Sequence, residues 1–489
     1  MAKFNREKVL RQLEFKRKWR SYSRYVYIAV PCVLCCLLCL YFAYSKFFVS
    51  DAQAVIRTTV GDFIHGDVVI SAYIDGEYSS TIPGKNDGYV VDKVSCDNGA
   101  VGEWNNIDWG LLTTNLSKRT KCNVYFKKDL VSNIIAQLDT SGKCPTMNAD
   151  GSVNVTGVEA TNGYLCKAKD AYGDSYYYRG NVTNNYVKFG EWQVRKYFGY
   201  YSDTSNDYQM YDSLEECQNA SSYNKKCAVG IDIGTPMYWR IIRINGDGTV
   251  RVIYDGTSAH ANSEKSTDRQ IGTSAFNSSY EDNAYVGYMY GKTGASTYAD
   301  THTNTNNSTI KTYLDTWYEN NIKGTTNEQY IADNVFCNDR SFAPNNSGTG
   351  AGTSETYYRW SNFADNSNNN KMMLTCPQKN DAFTVNDTTK GNGALTYSIG
   401  LLTADEVALA GGWSSNNYNY YLYSGQVYWL ASPVGFNGRG AGGRFVRSYG
   451  DLNYDYVYRS YGARPVLNLS SEILLQGTGT ASDPYHLAS

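Results

Sequence analysis

Residues 237–256 read MYWRIIRINGDGTVRVIYDG. Two runs of β-branched and aromatic residues flank Asn245-Gly246-Asp247-Gly248, and that arrangement predicts a β-hairpin. Upstream, YYYRGNVTNNYVKFG begins at Tyr176 and leads into an insertion at about 195–235 that carries Cys217 and Cys227. Downstream, a polar stretch to about Asn307 precedes STIKTYLDTWYENN. There Ile310, Tyr313, Leu314, Trp317 and Tyr318 recur at helical spacing, which predicts a helix with one buried face. Ser308 suits its N-cap and Gly324 its stop. LTADEVALAGG, residues 402–412, predicts a second, compact helix. Thr403 is its N-cap, Glu406 completes a capping box and Gly411 ends it. Short strand-like runs follow: QVYWLASP, GGRFVRSYG, YDYVYRSYG and ARPVLNL. Helices and short strands together predict an α+β domain over residues 179–489.

Two further regions precede it. Residues 54–127 predict a small β-sandwich-like module, because VVISAYIDGEY (68–78) and GYVVDKVSC (88–96) alternate in polarity around turn residues. Cys96, Trp104, Trp109 and Cys122 suggest a disulfide beside an aromatic core. Residues 128–178 hold one short helix candidate, LVSNIIAQL, and then a Gly/Asn/Asp/Ser-rich segment with Cys144 and Cys166. This region reads as a linker with little core, stapled by one bridge.

Residues 25–44, YVYIAVPCVLCCLLCLYFAY, contain no charge. At about 1.5 Å per residue such a helix crosses a hydrocarbon layer of about 30 Å. The lipid bilayer is therefore the first partner expected, through a single transmembrane anchor. Residues 1–24 hold nine Lys/Arg against two Glu. Such basic flanks stay cytoplasmic, which places the C-terminal bulk outside the cell membrane. Ala52-Gln53-Ala54 resembles a signal-peptidase site, so cleavage after Ala54 stays open as an alternative. The net charge of −2 hides a tail surplus of seven positive charges, which leaves the remainder at −9. An acidic bulk argues against a nucleic-acid partner.

Of the 12 cysteines, Cys32, Cys35, Cys36 and Cys39 lie in the apolar stretch. The remaining eight are an even set, which suits an oxidising compartment; eight free thiols in a reducing one is the alternative. About 105 pairings exist for eight cysteines. Nearest-neighbour pairing is the simplest: Cys96–Cys122, Cys144–Cys166, Cys217–Cys227 and Cys337–Cys376. Zinc is not indicated, since no C-x-x-C occurs outside the apolar stretch and only four His are present.

The runs YYYRGNVTNNYVKFG, WRIIRINGDGTVRVIY, DTWYENN, FCNDRS, IGLLTADEVALAGG, YWLASP and GARPVLNL occur in this order. In that order they resemble a family of uncharacterised surface proteins from Gram-positive gut bacteria, over about residues 176–489. The layout is also similar to the C-type-lectin-like fold shared by sulfatase-modifying enzymes and the variable proteins of diversity-generating retroelements. Gly462-Ala463-Arg464 matches the G-x-R turn near which that fold's core strands end. The resemblance implies an irregular Tyr/Asn/Ser-rich ligand surface. It does not extend to calcium-dependent sugar binding, because the E-P-N and Q-P-D triplets are absent. Nor does it extend to the modifying enzymes' cysteine chemistry, because no cysteine follows Cys376.

Ten Tyr lie between Trp413 and Gly462. Tyrosine offers wide contact area at low entropy cost and a polar tip. The candidate ligand-binding residues are Tyr428, Tyr449, Tyr454, Tyr456 and Tyr458, with Arg439, Arg444 and Arg459 adding hydrogen-bond or anion contacts. Cross-strand packing of the same tyrosines is the competing account. Gly438–Gly443 fits G-x-G-x-x-G, but a strand-like run follows where a dinucleotide site needs a helix. Asp451, Asn453 and Asp455 space like the first ligands of an EF-hand, yet Tyr456 and Gly462 stand where Gly and Glu are required. His65, His260, His302 and His486 sit in no metal or triad pattern, and no catalytic residue or cofactor is nominated. The expectation is a membrane-anchored extracellular protein that binds protein or glycan. A cell-envelope enzyme acting on peptidoglycan or polysaccharide, and a structural envelope protein, are the alternatives.

Overall fold

The computed structural model describes residues 11–19, 57–58 and 68–487, apart from 75, 86, 88, 106–107, 116–118, 205–206, 363–370, 414–415 and 472–475. The apolar stretch 25–44 and the Ala52–Ala54 site lie outside the described residues. Among those described, no helix is long and apolar enough to cross a membrane. The chain divides into two compact units, Met1–Lys128 and Asp129–Ser489. Both are rich in sheet; residues 11–19 are helical and the larger unit carries the other helices, so the class is mixed α+β.

In the first unit one sheet orders the strands Glu77–Ser79, Val68–Ile74, Thr120–Lys128 and Tyr89–Cys96. Val68–Ile74 runs parallel to Thr120–Lys128, which pairs antiparallel with Tyr89–Cys96. A second sheet joins Val101–Asn105 to Gly110–Thr114 and Arg57–Thr58. Trp104 and Trp109 meet edge-on at 5.5 Å, and Phe126 lies 5.3 Å from Trp104. Leu111, Cys122 and Val124 complete this core. Cys96 and Cys122 stand opposite one another in the ladder and are joined by a disulfide.

The second unit is built on the hairpin read at the outset. Its strands are Pro236–Ile244 and Val250–Gly256, closed by Asn245 N–H donating to the Thr249 carbonyl at 2.8 Å. Gly248 takes φ +84° there, a conformation glycine adopts without steric cost. Every residue of Val250–Gly256 is buried, so the sheet is covered on both faces and shows no polar alternation. Val466–Leu469 pairs with one side of the hairpin. Gly173–Arg179 and Tyr186–Glu191 share the other side, and Tyr164–Asp170 forms the far edge.

That arrangement corrects the linker reading of residues 128–178. Val131, Ile134, Val153, Leu165, Cys166 and Ala168 are buried in the main core. The segment supplies an edge strand and most of its neighbour, and Cys144–Cys166 ties it down. The insertion forms a three-stranded sheet, Tyr208–Tyr211, Lys196–Tyr200 and Lys226–Ile231, with the helix Leu214–Asn219 bridged through Cys217–Cys227.

A second six-stranded sheet orders Thr273–Ala275, Ser460–Gly462, Tyr428–Phe436, Ala441–Val446 and Leu452–Tyr456, with Thr356–Tyr357 on the far end of Tyr428–Phe436. The long helix runs Thr309–Asn321, with Ser308 Oγ accepting from Lys311 N–H, and buries Ile310, Leu314, Trp317 and Tyr318. The compact helix is Ala404–Ala410, with the Thr403/Glu406 capping box formed and Gly411 at φ +117°.

Arginines hold these layers together from within. Glu406 lies 2.5 Å from Arg251 Nε and 3.3 Å from Arg243 Nε, all three buried. Arg243 also donates to Asp170 at 2.8 Å, so the edge strand, the hairpin and the compact helix meet in one charge cluster. Burial pushes the Glu406 carboxyl up, but Arg251 and Arg243 outweigh it and hold it below the usual carboxylate range. In a second cluster Arg464 and Arg269 each donate to Asp255 Oδ1 at 2.7 Å.

Candidate functional site

The second sheet positions the predicted tyrosines. Its strand Tyr428–Phe436 is central and buried along its whole length. Tyr428 is therefore 1% exposed, donates its hydroxyl to the Leu422 carbonyl and lies under the Arg464 guanidinium. This removes Tyr428 from the surface set. Arg444 is corrected likewise at 2% exposure. Its guanidinium donates to the Trp360 carbonyl and sits between the rings of Trp360 and Tyr454, at 5.9 and 5.6 Å. Burial pushes it down to about 9. Arg444 supports Tyr454 from below, its partner across the ladder.

Tyr454 is 58% exposed on Leu452–Tyr456. Tyr456 points to the same face two residues on. At the 457–459 turn Tyr458 stacks on Tyr456 with ring centroids 5.9 Å apart and 12° between planes. Tyr280, which the sequence reading did not select, completes the cluster at 4.7 Å from Tyr458 and 6.4 Å from Tyr456. Its carbonyl accepts from Ala441 N–H at 2.8 Å, which fixes the loop to the sheet. Gly440 permits this approach, since a Cβ there would stand 2.8 Å from the Tyr280 ring and 2.9 Å from the Tyr456 ring.

Polar groups border the rings. Asn437 Nδ2 donates to the Tyr456 hydroxyl at 3.1 Å. Asn437 Oδ1 accepts from the N–H groups of Arg439 and Gly440, shaping the tight turn that leaves Arg439 exposed. Arg459 lies over Tyr458 at 5.1 Å. Tyr449 is exposed, but at the 447–450 turn, the opposite end of the Ala441–Val446 and Leu452–Tyr456 pair. The structure thus gathers Tyr456, Tyr458 and Arg459 with Tyr280 and, across Asn437, Arg439. Tyr454 extends the face along its strand.

The other motifs have structural duties. Gly438–Gly443 forms a turn and the start of Ala441–Val446, with no helix after it. Asp451 pairs with Arg447, and Asp455 accepts from the Tyr461 hydroxyl at 2.6 Å. Among the described residues no group of three or more His, Cys, Asp or Glu side chains is placed to hold a metal ion. His260 is buried between Glu264 at 2.9 Å and Asp268 at 3.0 Å. Burial pulls its pKa down, but the Asp268 carboxylate prevails and raises it above the usual 6.5. His302 is buried beside Arg340 and pushed down to about 2, chiefly by desolvation. All four nearest-neighbour disulfides are present, Cys337–Cys376 among them, consistent with an extracellular protein. Compared with known proteins, the chain matches no family model, no curated protein and no solved structure.

Proposed function

We propose that this chain is a single-pass, membrane-anchored binding protein of a bacterial cell surface, whose larger unit offers a tyrosine face to extracellular protein or glycan. The observation that carries the reading is the cluster Tyr280, Tyr456 and Tyr458, continued by exposed Tyr454. Rings held in fixed stacks lose little entropy when a partner covers them, and the bordering Asn437, Arg439 and Arg459 add directional contacts. The uncharged stretch 25–44 behind a basic tail supports the anchor, and the disulfides support the outward orientation. The C-type-lectin-like layout and the likeness to gut-bacterial surface proteins remain part of this reading, through the G-A-R turn at 462–464.

The test is a screen of cells displaying the full chain against arrayed glycans and host surface proteins. Replacing Tyr454, Tyr456 and Tyr458 together by Ala should weaken the selected partner by about 2 kcal/mol or more, roughly 30-fold in Kd. Far-UV and near-UV circular dichroism should stay unchanged. Equal binding by the triple variant would sink the tyrosine-face reading. A large fragment protected from external protease on intact cells would overturn the topology.

A further inference from the structure

The larger unit also contains a cleft of about 750 Å³, with one wall made by the Thr309–Asn321 helix. The opposite side comes from the start of the insertion, at Lys196 and Asp212, and from the segment around Asn277. A volume of this order accommodates a ligand of several rings. The helix presents Thr309, Thr312, Thr316 and Asn320 to it, a stripe at i, i+3, i+7 and i+11 with no charge. Thr312 and Thr316 donate their hydroxyl protons to the helix carbonyls of Ser308 and Thr312, at 3.1 and 2.9 Å. What they offer outward is lone pairs, which suits a ligand rich in hydroxyl donors.

Two donors of the lining residues are sealed under its surface. Trp317 Nε1 and Asn277 Nδ2 are buried without a hydrogen-bond partner, in residues only 4% and 3% exposed. Both lie beneath the wall, out of reach of a ligand, so the donor that faces the cleft is the exposed amide of Asn320. The charges, in contrast, are already matched. Lys196 Nζ pairs with Asp212, and Arg195 donates to Asp232 at 2.7 Å. The cleft therefore asks for neither an anion nor a cation. Tyr290 and Tyr313, both half-buried, supply aromatic surface. Their ring edges and faces suit the C–H faces of sugar rings. An extended peptide fits less well, because the helical wall has no free main-chain groups with which to pair.

We propose that this cleft is a binding site for a neutral oligosaccharide. It accepts hydroxyl protons at Thr312 and Thr316, offers the exposed Asn320 amide as donor and acceptor, and packs sugar rings on Tyr290 and Tyr313. This goes beyond the tyrosine-face reading and stands whether or not that face binds anything. The substrate class follows from the donor and acceptor balance, which pairs uncharged hydroxyls on both sides and leaves no formal charge to satisfy.

The test uses the full chain in detergent and titration calorimetry. The probes are chitotetraose, cellotetraose, maltotetraose and β-1,4-mannotetraose, with tetragalacturonate and end-capped tetra-alanine as contrasts. At least one neutral tetrasaccharide should bind and shift the tryptophan emission of the unmodified chain. Thr316→Trp and Thr312→Trp, both at exposed positions that tolerate a larger side chain, should each weaken that probe at least tenfold. Thr326→Trp, exposed beyond the helix and outside the cleft, should leave it within twofold. The proposal is overturned if no neutral tetrasaccharide binds, if only tetragalacturonate or the capped peptide binds, or if both cleft substitutions leave the affinity unchanged.

Discussion

Glu406 serves two structures with one carboxylate. It closes the capping box of the Ala404–Ala410 helix and neutralises Arg251 and Arg243 inside the core. Glu406→Ala should destabilise the larger unit by about 3–5 kcal/mol, because it strands the buried Arg251 guanidinium and leaves Arg243 to Asp170 alone. Urea unfolding of the variant beside the parent measures this. His260 makes a different prediction. Its pKa is raised above 6.5 in the folded state, mainly by Asp268 working against burial. The stabilisation is thus complete below pH 6.5 and disappears as pH climbs through the raised value. Melting temperature should fall over that interval, and His260→Asn should flatten the dependence. Arg444 marks where residue type misleads. Arginine belongs outside by default, yet here carbonyl and ring contacts pay for its burial.

At the scale of elements, periodicity made some features legible and hid others. The hairpin and both helices announce themselves because turn residues, caps and apolar spacing agree. Tyr164–Asp170 was illegible as a core strand because Lys167 and Lys169 interrupt a short run that still buries Leu165, Cys166 and Ala168. Tyr428 was misplaced for the opposite reason: a strand buried on both faces gives no alternation to tell in from out. Tyr280 comes from a polar loop with no period at all, and only the folded sheet brings it to Tyr458. Disulfides allow a prediction at this scale. Cys337–Cys376 closes a 39-residue separation and Cys217–Cys227 one of 10. On chain-entropy grounds, replacing the first pair by Ser should cost about 1 kcal/mol more than replacing the second. Guanidinium unfolding of the two double variants checks the order.

At the scale of the molecule, the division after Lys128 decides what can fold alone. A chain that begins at residue 129 should give cooperative unfolding and a near-UV spectrum of its own. One that begins at residue 180 should not, because it loses Tyr164–Asp170, Gly173–Arg179 and the Asp170 partner of Arg243. Calorimetry distinguishes the two, and a cooperative transition from the shorter chain would refute the corrected boundary.

The central sheet takes one edge from Tyr164–Asp170 and the other from Val466–Leu469, and Tyr485 N–H donates to the Tyr186 carbonyl at 2.9 Å. During synthesis Val250–Gly256 must therefore wait, with one side bare, for most of the larger unit to emerge. Ribosomes halted near residue 440 would hold a sticky, half-built sheet that chaperones must shield. Maturation is thus a late event, and a message truncated upstream of Val466 yields material for quality-control proteases rather than a weakened product.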